Sequence, residues 1–159
     1  MSACLAVVTI RLICVLLSLL AAGRVAGGEP ASSGHAIDLI VDTAWVREPA
    51  PGSDVGAAYF TLRNTGSQPA IIVAISCPLA AMTMLHETTF EGGTARMRPR
   101  ERLEIAPRQT LVLKPGGLHV MLHGLKRTLQ VGERVPLTLQ LASGDEIPLT
   151  AQVRPLGSK

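Results

Sequence analysis

Residues 137–153 read LTLQLASGDEIPLTAQV, and this stretch decides the fold class. Apolar residues alternate with polar ones from Leu137 to Leu141, and the alternation resumes from Ile147 to Val153. A period of two residues is typical of a β-strand with one buried face. Because the turn-forming residues 143–145 separate the two runs, the stretch predicts a β-hairpin.

Short runs of the same kind fill the chain from Ile37 onward. Within Ala57–Arg63, the apolar residues at 58, 60 and 62 share one face and Tyr59 lies on the other. Ala70–Ser76 is a nearly continuous apolar run, which is typical of a strand buried on both faces. The other predicted strands are Ile37–Val46, Ala81–Thr88, Ala95–Arg98, Leu103–Ile105, Leu111–Leu113 and Leu118–Leu122. Many short strands without a helical period predict an all-β antiparallel sandwich or small barrel.

The N-terminus has the features of a secretory signal peptide. Arg11 precedes the apolar stretch LICVLLSLLAAG at 12–23, and small residues follow it. A membrane-spanning helix needs about 20 apolar residues, so we expect cleavage rather than a stable membrane anchor. Neither Cys4 nor Cys14 has the neighbours of a lipidation site. The predicted organisation is a signal peptide at 1–27, a linker at 28–35, a β-sandwich domain at 36–155 and a tail at 156–159.

Charge and cysteine content narrow the class of protein. Without residues 1–28, which hold two arginines and no acid, Lys+Arg falls from 15 to 13 against 12 Asp+Glu. This near-neutral balance does not support a nucleic-acid-binding surface. After the predicted signal peptide the only cysteine is Cys77, which has no partner for an internal disulfide. We expect it to be buried in a strand as a small hydrophobic residue.

Histidine and methionine are concentrated between positions 82 and 123. His86, Met97, His119 and Met121 follow one another with ten, twenty-one and one intervening residues. In a strand, the last two project from the same face. Two imidazoles and two thioethers form a soft, neutral ligand set that suits Cu(I) and offers little to Mg²⁺, Ca²⁺ or Mn²⁺. Thioethers also survive outside the cytoplasm, where thiolates oxidise.

The spacing His-x10-Met-x21-His-x-Met resembles the hallmark of the periplasmic copper chaperone family PCu(A)C. The surrounding segments are also similar to that family, and the resemblance covers residues 38–153. The similar segments include LHET at 85–88, MRPRERLEI at 97–105 and LKPGGLHVMLHGLK at 113–126. The resemblance implies a cupredoxin-like antiparallel β-sandwich or Greek-key barrel. It also implies that the metal ligands are His86, Met97, His119 and Met121.

The same resemblance implies a function and a location. A PCu(A)C protein is a periplasmic Cu(I) metallochaperone that helps to assemble the copper A centre of cytochrome c oxidase. The implied partners are the copper A subunit of the oxidase and thioredoxin-like copper assembly proteins. No Ser/His/Asp set, paired-acid cleft or Gly-rich phosphate loop stands out in the sequence, so an enzyme is not predicted.

The chain departs from the family pattern at several positions. It ends in RPLGSK, without the Met/His-rich tail that many members carry. Met82 and Met84 precede the first ligand and should share its face. Core packing is the default role for both, and Met84 is also a candidate auxiliary ligand. His123 is a second auxiliary candidate, with a place at the rim of the site as the alternative. His35 should be solvated in the linker, and Trp45 should pack in the core.

Three other classes of protein remain as alternatives. A blue-copper electron carrier needs a cysteine ligand close to a histidine and a methionine, and Cys77 is far from both in sequence. A copper monooxygenase with an N-terminal histidine requires cleavage just before His35. A metal-free β-sandwich used in adhesion or assembly is the main alternative, and copper binding distinguishes it from the chaperone.

Overall fold

The computed structural model describes residues 38–159, which form ten β-strands. The predicted signal peptide, the linker and His35 lie outside the described residues. Within 38–159 there is no helix that is long and apolar enough to cross a membrane. The strands are β1 Leu39–Arg47, β2 Gly56–Asn64, β3 Ala70–Ser76, β4 Ala80–Glu91, β5 Thr94–Pro99, β6 Leu103–Ile105, β7 Thr110–Val112, β8 Leu118–Leu125, β9 Arg134–Leu141 and β10 Glu146–Arg154.

Nine strands form one continuous hydrogen-bonded path in the order β5-β4-β8-β2-β1-β10-β9-β3-β6, and β7 pairs with β2. The prediction of an all-β fold is confirmed. The sheet is mixed rather than purely antiparallel, because β1 and β10 run parallel at Trp45–Arg47. Parallel neighbours require a long connection, and here the connection is the whole of the intervening domain. The first and last strands therefore meet in the middle of the sheet.

The sheet curves around one hydrophobic core that alternate residues supply. On β2, the side chains of Phe60 and Leu62 are buried in this core, as the alternation predicted. The terminal hairpin is confirmed as β9 and β10, with Leu139 and Val153 at most 1% exposed. Cys77 is buried in the core as expected and is a free cysteine, but it lies one residue beyond the end of β3 and not in a strand. The core positions on β2, β9 and β10 follow directly from the two-residue period.

The prediction that β3 is buried on both faces is wrong. Ile72 points into the core, but Val73 is 47% exposed. β3 lies next to the end of the sheet, between β9 and β6, and its pairing with β9 shifts between Ile72 and Ala74. Nothing within residues 38–159 covers its outer face fully, so an apolar run here does not imply burial on both sides.

Trp45 is buried, but it does not belong to the main core. Its neighbour Val46 is fully buried in the core, so Trp45 projects from the opposite face of β1. There its ring stacks on Tyr59, with a centroid distance of 4.4 Å. Trp45 is therefore buried as expected, but it packs on the face opposite the main core. The pairing of β1 with β2 shifts between Asp42 and Trp45, which changes the alternation at this point.

The β4–β8 pair positions the residues that the sequence singled out. The two strands are antiparallel, and their register runs without a shift from Ala80 to Glu87. Beyond that point β4 continues into a hairpin with β5, which closes at a Gly92-Gly93 turn. Both glycines have positive φ, 57° and 80°, a conformation that glycine adopts without strain.

Candidate metal centre

Three cross-strand pairs made only of histidine and methionine stand in line on the outer face of β4 and β8. The pairs are His86–His119, Met84–Met121 and Met82–His123. On β8 these residues alternate with Val120 and Leu122, which are fully buried in the core. The six side chains therefore share the face that points away from the core. We refer to the six residues as the His/Met ladder.

The His86–His119 pair forms the inner end of the ladder. The two ring centroids are 5.9 Å apart and the ring planes are tilted by 45°. His119 is 5% exposed, and its Nδ1 is 2.9 Å from the carbonyl oxygen of Gly117. Since a carbonyl can only accept, this hydrogen bond requires the proton on Nδ1. The Nε2 atom of His119 then keeps its lone pair and is free to bind a metal.

His86 presents a nitrogen that residues 38–159 leave without a partner. Its Nδ1 is buried and accepts no hydrogen bond from the described residues. Burial lowers the pKa of His86, and the nearby charges of His119 and His123 lower this pKa further. An imidazole binds a metal only in its neutral form. The environment of His86 therefore favours the metal-binding form at neutral pH.

Met97 lies on the other side of β4 from His119. It is directly opposite Thr88, which shares the face of His86 because the two are two residues apart. Met97 is thus a diagonal neighbour of His86, at a typical Cα distance of about 7 to 8 Å. It is 54% exposed. The four predicted ligands thus lie on one face of three adjacent strands, with His86 on the central strand.

The structure places the auxiliary candidates on the same face. Met84 lies between the strand positions of His86 and Met82, and Met82 is 53% exposed. Neither methionine belongs to the hydrophobic core, so the expectation of core packing is wrong for both. The reason is that they project outward from β4, whereas Leu85 packs against the core. His123 has a buried Nε2 atom without a hydrogen-bond partner in residues 38–159.

An aromatic cluster next to the ladder was not predicted as part of the site. The ring of Tyr59 lies 6.4 Å from that of His119 and stacks on Trp45. Arg47 lies over Tyr59 at 5.4 Å, and Arg154 lies over Trp45 at 5.3 Å. Burial raises the pKa of Tyr59, while Arg47 opposes this effect. The β2 alternation places Tyr59 on the non-core face, but only the β2–β8 pairing brings it beside His119.

The donor atoms at the ladder decide which metals fit. Within residues 38–159, no three side chains of the His, Cys, Asp or Glu type converge into a metal-binding group. A metal held here would depend on thioether sulfur in addition to imidazole. Such a set is poor for cations that prefer oxygen and is suited to Cu(I). Cys77 belongs to the core on the other side of the sheet.

Residues 39–153 match the family described as "Putative lipoprotein LpqE-like". The chain belongs to the LpqE-like family. One curated relative is the "Putative lipoprotein Lxx21020" of Leifsonia xyli subsp. xyli (strain CTCB07), which is 37% identical over 115 residues. The match covers 72% of this LpqE-like chain and 68% of that protein.

Solved structures of copper-binding domains share the fold of this LpqE-like protein. The copper-bound PCuAC domain from PmoF2 matches with a TM-score of 0.64 at 19% identity, over 74% of this chain and 93% of that domain. Apo-DR1885 from Deinococcus radiodurans matches with a TM-score of 0.61 at 40% identity, over 80% and 87%. CuI-DR1885 matches with a TM-score of 0.60 at 42% identity, over 72% and 76%. The predicted cupredoxin-like β fold is confirmed.

Proposed function

We propose that this LpqE-like protein is an exported Cu(I)-binding metallochaperone and not an enzyme. The observation that carries the proposal is the facing pair His86–His119, with Met121 and Met97 on the same outer face. The identity of 42% with a protein whose structure was solved with Cu(I) supports the choice of metal. The cargo is Cu(I), and His86, Met97, His119 and Met121 are its ligands.

The two halves of the ligand set have different roles in this proposal. The histidines are held by strand pairing, and the Gly117 carbonyl orients His119, so they form the permanent part of the site. Met97 is half-exposed on the outer strand β5, where it can exchange with solvent or with a partner's ligand. A neutral set without thiolate binds Cu(I) less tightly than cysteine sites do. Copper can therefore pass from this protein to a stronger acceptor.

We extend the proposal to delivery for the copper A centre of cytochrome c oxidase, with thioredoxin-like copper assembly proteins as partners. This step is supported by the resemblance of the His/Met spacing to the PCu(A)C family. The proposed location is the periplasm, reached through cleavage of the predicted signal peptide at 1–27. A function outside the cytoplasm suits the use of thioethers in place of oxidisable thiolates.

An anaerobic Cu(I) titration tests the binding step. The titrated variant carries Cys4→Ser and Cys14→Ser, so that thiolates of the predicted signal peptide do not bind copper. We expect one tightly bound Cu(I) per chain at one equivalent, with a mixed nitrogen and sulfur shell in X-ray absorption. A shell of nitrogen alone would contradict the ligand set. Loss of copper to a weak chelator would favour the metal-free adhesion or assembly module.

A transfer experiment tests delivery separately. The Cu(I)-loaded protein is mixed with an apo copper A domain, with and without a thioredoxin-like copper protein, and copper is measured in each protein after separation. We expect copper to move to the copper A domain. The control is the same amount of Cu(I) supplied by a small chelator. Retention of all copper by the loaded protein would leave binding intact and would show that the delivery role is wrong.

A further inference from the structure

We propose that the outer end of the His/Met ladder is a second Cu(I) site, formed by His123, Met82 and Met84. This site would exchange copper between the His86–His119 pair and the protein surface. The inference rests on the proposed function, which supplies Cu(I) as the cargo. It adds a position for the metal that the four-ligand motif does not contain.

Spacing along the strands separates the two sites. Successive pairs of the ladder are two residues apart, which corresponds to about 6.6 to 6.8 Å along each strand. The Met82–His123 pair is therefore about 13 Å from the His86–His119 pair. Metal–nitrogen and metal–sulfur bonds are only about 2.0 to 2.3 Å long. Because side chains on a strand stand roughly perpendicular to the sheet, the donor atoms of the two end pairs stay too far apart to share one ion, so ligands at the outer end would serve a second ion.

The middle pair of the ladder can serve both ends. Met84 and Met121 face each other halfway between the two histidine positions. Met121 belongs to the motif and completes the inner site with His119 on the same strand. Met84 is then free to complete the outer site with Met82, which is two residues away on the same face of β4. Each site thus takes one thioether from the middle pair.

The imidazole of His123 has one ring nitrogen without a hydrogen-bond partner in the described structure. Its Nε2 atom is buried and has no hydrogen-bond partner among residues 38–159. A buried polar nitrogen without a partner costs free energy, and a bound ion would remove that cost. The half-exposed thioether of Met82 lies directly across the strand pair. One imidazole and two thioethers form a soft, uncharged set that suits Cu(I).

The outer end of the ladder is accessible from solvent through Met82. His119 at the inner end is 5% exposed, whereas Met82 at the outer end is 53% exposed. Gly124 follows His123 with φ of 61°, and a Cβ atom there would lie 2.9 Å from the Cβ of Ala81. Its missing side chain keeps β4 and β8 close at this end. The half-exposed thioether of Met82 therefore makes the outer site accessible to a partner, as the thioether of Met97 does for the inner site.

The test is a Cu(I) titration against chelators of graded strength, in the Cys4→Ser, Cys14→Ser chain. We expect a tight first equivalent and a weaker second equivalent. His123→Leu and Met82→Leu should each weaken the second equivalent by at least about tenfold, because even indirect ligand changes cost this much. The first equivalent should stay unchanged. Met97→Leu is the matched control, and it should weaken the first equivalent while the second remains.

His123→Gln provides a polar variant in case His123→Leu does not fold, and thermal unfolding checks every variant. Saturation at one equivalent for the wild type overturns the second site. Weakening of the first equivalent by His123→Leu or His123→Gln also overturns it, because His123 would then belong to the inner site. A wild type that binds no Cu(I) at all would instead contradict the proposed function, so the two failures are distinguishable.

Discussion

His86 and His119 face each other across β4 and β8, with their ring centroids 5.9 Å apart. The two residues are separated by more than thirty positions in the chain, and between them lie all of β5, β6 and β7. Their proximity depends on one uninterrupted strand register. A shift of this register by one residue would move one histidine to the core face and destroy the pair. The candidate site is therefore a direct product of β4–β8 pairing.

Replacement of Met121 tests the role of its thioether. Met121→Leu nearly conserves volume and apolarity, so the free energy of unfolding should change by less than about 1.5 kcal/mol. Cu(I) affinity should fall, because a sulfur ligand is lost. Both quantities can be measured by denaturant unfolding and chelator competition. Cys77→Ala is the matched control, since this thiol is buried in the core and should affect stability but not copper binding. The reverse pattern would exclude Met121 as a ligand.

The pH dependence of Cu(I) affinity tests the histidine ligands. The ordinary pKa of histidine is about 6.5, and burial with the nearby His119 and His123 lowers the pKa of His86. Because the pKa of His86 is lowered, protons compete with copper at this residue only at a pH below the ordinary histidine pKa. Affinity should be nearly flat above about pH 6.5 and fall at more acidic pH, with a limiting slope near two protons for two imidazoles.

The substitution His119→Met separates the contributions of the two histidines to this pH profile. One titrating ligand then remains, so the limiting slope should approach one proton. The measurement is a competition titration between about pH 8 and pH 5 on the wild type and the variant. An identical slope in both proteins would show that His119 is not a ligand. A wild-type affinity that is constant down to the acidic limit would contradict proton competition at either histidine.

Tyr59 tests the aromatic support beside His119. Tyr59→Ala removes the ring that stacks on Trp45, so we expect destabilisation of about 3 kcal/mol or more. Copper affinity should also fall, because His119 loses a packing neighbour. Tyr59→Phe retains the ring and should change both quantities much less. Equal copper affinity in Tyr59→Ala and the wild type would show that the cluster supports the fold and not the site.

Replacement of Gly124 tests whether the close approach of β4 and β8 contributes to the stability of the protein. Gly124→Ala should destabilise the protein in two ways, because the residue has φ of 61° and the new Cβ atom meets the Cβ of Ala81 at 2.9 Å. Gly144→Ala is the control, since its φ is 91° but nothing lies within 4 Å of an added Cβ atom. Denaturant unfolding should show a larger loss for Gly124→Ala, by about 1 to 3 kcal/mol. Equal losses of stability in the two variants would show that the contact between residue 124 and Ala81 costs no free energy.

The strand pattern and the ligand types were predictable from the sequence. The alternation around Phe60 and in the final hairpin assigned core faces correctly, because a two-residue period depends only on local geometry. The shared face of His119 and Met121 followed for the same reason. The Cu(I) preference followed from the chemistry of imidazole and thioether, which requires no coordinates.

Other features depended on which strands become neighbours. The exposed outer face of β3 at Val73 reflects its place near the end of the sheet, and the same apolar run in a central strand would be buried. The outward position of Trp45 follows from the register shift in β1. Neither property is local, so neither could be derived from residue order.

The sequence by itself determined an all-β domain and a soft set of histidines and methionines with a particular spacing. Only the tertiary structure decided that Met82, Met84 and His123 extend the motif into a ladder, and that Tyr59 lies beside His119. Residue order sets which face of a strand a side chain occupies. Strand register sets which side chain stands opposite, and register is decided by the packing of the whole sheet around its core.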